Sequence, residues 1–140
     1  MSTEIQERCN TIEACYEFTL SFAAQGLPSD QGSESGKQVR HHLGRAVDSM
    51  RGLEESCSEA ISEGQLEPSG PYRAFFAVLA QDAQNSIAAV ELVLAQPSIS
   101  SQLIDSLNAS IHLRALLADL FLVTEILELR QMHAVETAQE

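Results

Sequence analysis

Apolar residues along this chain recur every three to four positions in four long segments, the spacing that lines one side of an α-helix. The first segment runs from about Glu4 to Gln25. Ile5, Cys9, Ile12, Tyr16, Thr19 and Ala23 trace one face, which Cys15, Leu20 and Phe22 widen. Thr3 and Gln6 have the spacing of a capping box, and Gly26 and Pro28 are stop signals. The second covers about 37–63. Ser35 is its expected cap, and Val39, Leu43, Ala46, Met50, Leu53, Cys57 and Ala60 keep heptad spacing up to the stop at Gly64.

The third segment is about 71–96, opened by Pro71, whose missing N–H is harmless in a first turn, and closed by Pro97. The fourth starts at once from Ser98 as cap and continues to about Val135. At 1.5 Å per residue it would reach about 57 Å against about 33 to 40 Å for its neighbours, so it breaks near Asn108 or projects past them. No stretch alternates with the period of a strand. The pattern predicts an all-α, single-domain, four-helix up-down-up-down bundle over residues 1–140. Gly26 to Gly36 (GLPSDQGSESG), small and polar throughout, is expected to be a mobile loop, and 136–140 a frayed tail.

The fourth segment stands apart because its apolar residues lie on almost every side. Such a helix must be enclosed by other helices or by a second chain. Three neighbours cover only part of it, so a protein partner or a homodimer is expected, with Leu113, Leu116, Leu120 and Leu127 as the partner-binding residues.

Composition and charge narrow the field. Aromatic residues make up 5% and Trp is absent, which leaves Leu, Ala, Ile and Val to fill a core suited to helices. A net charge of -12 repels phosphate, so neither nucleic acid nor an anionic membrane is an expected partner. Half the basic residues, Lys37, Arg40, Arg45 and Arg51, sit in one block, followed by the acidic run Glu54, Glu55, Glu59, Glu63 and Glu67. His112, Arg114, Asp119, Glu125, Glu128 and Arg130 interrupt the longest apolar segment, which is wrong for a bilayer span. MSTEIQERCN has neither the basic nor the apolar region of a secretion signal, and the expected compartment is the cytoplasm. Cys9, Cys15 and Cys57 lie on or beside apolar faces with no CxxC spacing, as buried reduced thiols do.

Candidate chemistry is sparse. Gly32 to Gln38 (GSESGKQ) has a glycine gap one residue short of a phosphate-binding loop, no Ser or Thr after Lys37, and no strand before it. His41 and His42 point about 100° apart on a helix and cannot share a metal. Glu-x-x-His, HExxH and HxxxH spacings are missing, so neither a metal nor another cofactor is expected. Asp82 and Asp119 fall on apolar faces, and His112 and Arg130 share the stripe of Asp119. Carboxylates taken out of water need partners, and Arg114, Arg130, His112 or a helix end are the expected ones. The reading is a non-catalytic protein-protein interaction module: an adaptor, regulator or holding chaperone. The alternative is a bundle that binds a small-molecule ligand or cofactor in a polar core pocket around Asp82, His112 and Asp119.

Overall fold

A computed structural model describes the backbone of residues 3–64 and 66–139 and the side chains of 4–64 and 66–134. The described residues form six helical segments and no strand: α1 (Thr3–Ala24), α2 (Glu34–Arg51), α3 (Leu53–Ser62), α4 (Ser69–Leu94), α5 (Ser101–Ala109) and α6 (Ile111–Gln139). The all-helical expectation holds. The simple count of four does not, because the second and fourth segments are each divided.

The second segment divides at Gly52, between α2 and α3. Arg8 of α1 enters the bend and donates to the carbonyl oxygens of Asp48 at 3.3 Å and Ser49 at 3.4 Å, and to Ser56 Oγ at 3.1 Å. A guanidinium there satisfies carbonyls that a helix C-terminus leaves unpaired. A Cβ on residue 52 would run into that guanidinium, the far end of a flexible side chain, so Arg8 would have to shift to admit one.

The fourth segment breaks at Ser110, whose backbone is extended, two residues past the expected Asn108. The reason lies in the packing. α5 lies mainly against α1, where Thr19 Oγ1 donates to Asn108 Oδ1 at 3.2 Å, whereas α6 lies mainly against α4, where Ser86 Oγ donates to the His112 carbonyl at 2.9 Å. One straight helix cannot follow both neighbours. Ser110 Oγ accepts from Leu113 N at 3.3 Å, which caps the restarted helix.

Helix starts also move. Ser33, not Ser35, caps α2 by accepting from Gly36 N at 3.0 Å. Ser100, not Ser98, caps α5 by accepting from Leu103 N at 3.0 Å. α4 begins at Ser69, which leaves Pro71 in the first turn where its lack of an N–H is still harmless. The core combines Ile5, Cys9, Ile12 and Phe22 of α1 with Val39, Leu43, Met50, Leu53, Leu79, Val90, Ile104 and the inner leucines of α6. Leu20, placed on the apolar face by its spacing, is exposed.

The loop expected to be mobile carries specific hydrogen bonds to the helices around it. Asp30 is buried; its Oδ1 accepts from Ile99 N at 2.8 Å and its Oδ2 from Arg40 Nε at 2.8 Å. Arg40 then donates to the carbonyls of Leu94 at 2.9 Å and Gln96 at 2.8 Å, capping the C-terminus of α4. Ser101 closes the other side: its Oγ accepts from Leu27 N at 2.8 Å and donates to the Phe22 carbonyl at 2.6 Å. Small polar side chains read as unable to pack are the groups that make this junction. In the expected frayed tail, α6 stays helical to Gln139, while side chains from Val135 onward and all of Glu140 lie outside the described residues.

Candidate functional site

α6 presents two apolar faces, and packing decides which is interior. Leu113, Leu116, Leu120 and Leu127 are buried in the core together with Leu117 and Val123. They face α4 and α1, so the four residues expected to meet a partner are occupied within the chain. The opposite face holds Ile111 at 75% exposure, Leu122 at 48%, Leu129 at 57% and Met132 at 60%, with Phe121 at 55% beside them. At 100° per residue, Ile111, Ala115, Ala118, Leu122, Glu125, Leu129 and Met132 form one continuous outer stripe, seven positions with a single charge. The wheel contains this second face. It gives no basis for choosing the exposed one, since both are apolar.

Two open grooves adjoin the stripe where the N-terminal half of α4 runs antiparallel to α6. One, of about 370 Å³, is lined by Pro68, Pro71, Tyr72, Phe75, Phe76, Leu122, Val123, Ile126 and Leu127. The other, of about 710 Å³, lies among Ala60, Leu66, Tyr72, Leu129, Arg130 and His133. Tyr72, Ile126 and Leu127 border both. The Arg130 guanidinium lies 5.6 Å from the centre of the Tyr72 ring and donates to the Glu67 carbonyl at 3.3 Å, which fixes the wall between them.

Asp82 and Asp119 do meet, across the seam of α4 and α6, but not in a cation-lined core pocket. Both are half-buried, and neither makes an ion pair among the described residues. Asp119 Oδ2 is buried and has no hydrogen-bond partner among the described residues. Removal from water, and then the hydrogen bond to and charge of Asp82, push the Asp119 carboxyl up to about 7. His112 has an exposed side chain, and Arg130 is three helical turns from Asp119, about 16 Å along the axis. The four candidates Asp82, His112, Asp119 and Arg130 are therefore not one site.

The remaining polar groups have structural surroundings. His42 stacks on Phe18 with ring centres 4.0 Å apart, and burial, followed by the charges of His41 and Arg45, lowers its pKa. Burial raises the thiols of Cys9 to about 11 and Cys57 to about 12, which keeps both protonated and poorly nucleophilic. Among the described residues no group of three or more His, Cys, Asp or Glu is placed to hold a metal, and no helix is long and apolar enough to cross a membrane. Comparison with known proteins gives no match among family models, curated proteins or solved structures.

Proposed function

We propose that this protein is a non-catalytic interaction module, an adaptor, regulator or holding chaperone, whose working surface is the outer face of α6 with the adjoining α4 groove. The observation that carries this reading is the exposure of Ile111, Phe121, Leu122, Leu129 and Met132 on one side of a helix whose other side is fully packed. Contiguous apolar surface of this kind is unfavourable in water by roughly 25 cal/mol per Å² and marks contact sites on folded chains. The open groove lined by Phe75, Leu122 and Ile126 extends the same surface and gives a partner side chain somewhere to anchor. A ligand held in a polar core has less support, because Asp82 and Asp119 stand at a seam and His112 faces water.

The test is a photo-crosslinking side chain placed in the full-length protein in cells, at Leu122 in one variant and at Glu59, on an acidic helix face, in another. Discrete protein adducts at Leu122, and none at Glu59, are the expected result. No adduct at Leu122, or the same adducts at both positions, sinks the reading.

A further inference from the structure

The edge of the α6 stripe carries a charge order that suits a second copy of this chain. We infer that two copies associate through antiparallel α6 helices about a two-fold axis at Phe121, an inference that rests on the outer face being an interaction surface. Arg114, Phe121 and Glu128 follow at intervals of seven residues, so they lie on the same edge of the stripe. All three are exposed, and neither Arg114 nor Glu128 takes part in an ion pair within the chain among the described residues.

When two helices pair antiparallel about a two-fold axis, each edge meets the same edge of its partner, run in the opposite direction. With the axis at Phe121, that ring faces the partner's Phe121. Arg114 faces the partner's Glu128, and Glu128 faces the partner's Arg114, so both outer positions become opposite-charge pairs. A parallel two-fold pairing would set this edge against the opposite edge of the partner helix, so Arg114 and Glu128 would not meet each other.

Side-chain size follows the same order. The N-terminal half of the stripe has bulky Ile111 followed by small Ala115 and Ala118, and the C-terminal half has bulky Leu122, Leu129 and Met132 around Glu125. Antiparallel pairing about Phe121 lays Ala115 and Ala118 over the Leu122–Leu129 stretch, giving those leucines room, and Ile111 over Met132 at each end. The stripe from Ile111 to Met132 is about 32 Å long. Its five large exposed side chains offer on the order of 500 Å² per copy, to which edge groups add, approaching the roughly 800 Å² per partner of a stable interface.

The experiment is sedimentation equilibrium of the intact protein over a wide concentration range, with circular dichroism to verify that each variant keeps the parent's helicity. A monomer-dimer equilibrium is expected for the parent. R114E and E128R should each weaken it roughly tenfold, since each converts two attractive contacts per dimer into repulsive ones, and the R114E/E128R double variant should return to the parent's value. F121C should form a disulfide-linked dimer on mild oxidation, while a cysteine replacing Glu59 should not. A monomer at every concentration, a dimer indifferent to either single reversal, or no recovery in the double variant overturns the inference. If the parent is monomeric while Leu122 still crosslinks to other proteins, the two-fold pairing fails and the interaction surface stands; if Leu122 also gives no adduct, both fail.

Discussion

Asp30 and Asp119 are both aspartates drawn into helix junctions, and the chain treats them in opposite ways. Asp30 faces donors on both oxygens, the Arg40 guanidinium and the Ile99 N–H. Loss of water raises its pKa, but the Ile99 hydrogen bond and then Arg40 outweigh that effect and hold the carboxyl below its ordinary value. Asp119 faces another carboxyl across the α4–α6 seam and is raised to about 7. The first arrangement favours the charge and joins three segments: the α1–α2 loop, the end of α4 and the entry to α5. The second disfavours the charge at the seam beside the exposed face of α6. Burial of a charge therefore says little by itself; the donors within reach decide its sign.

The strongest way to break the contrast is Asp30→Ala. It leaves the Arg40 guanidinium without its carboxylate and Ile99 N without an acceptor, and is expected to destabilise the fold by about 2 to 4 kcal/mol in urea unfolding. A loss under 0.5 kcal/mol would mean that the junction is ornamental. Next in size is Gly36→Ala. A Cβ there runs into the Asp30 carbonyl, which is backbone and cannot swing aside, so about 1 to 3 kcal/mol should be lost as the loop is forced from α2.

Asp119→Asn should act in the other direction. An amide can donate to Asp82 without a proton being taken up, and near pH 8 the variant is expected to be more stable than the parent by about 1 kcal/mol. Its pH dependence sharpens the comparison further. A carboxyl whose folded pKa is raised stabilises the fold fully below its unfolded value, near 4, and that contribution is lost as pH rises toward 7. The parent's melting temperature minus that of Asp119→Asn should fall across this window. Asp30 has the reverse sign: its contribution is present above pH 4 and disappears as pH falls through its lowered pKa, so Asp30→Ala should flatten the acid limb only. The smallest effect belongs to Glu59→Ala on the exposed face of α3, expected to stay within about 0.5 kcal/mol. A larger change there would place Glu59 in a contact that the fold does not account for.

The candidate surface was half legible. The sequence shows that the last helix is apolar on two sides, and it contains the seven-residue run of Arg114, Phe121 and Glu128. It does not reveal that Leu113, Leu116, Leu120 and Leu127 face inward, because inner and outer stripes differ little in composition. The polar candidates failed for a related reason. Spacing placed Asp82 and Asp119 on packed faces, but no periodicity states what stands opposite a residue on another helix.

By itself the sequence determined the helical class, the approximate extent of each segment, and that the fourth must either break or project, because periodicity, caps and stop residues act within a few neighbouring positions. Tertiary structure alone decided that Arg8 and Arg40 close the ends of α2 and α4, that Ser29, Asp30 and Ser101 hold a loop whose composition suggested freedom, and that one apolar face of α6 is left to water. These outcomes turn on pairs 40 to 79 residues apart, such as Arg8 with Asp48 and Phe22 with Ser101. Whether a charge is satisfied or a stripe is covered depends on which groups the fold brings within about 3 Å, and local spacing does not contain that information.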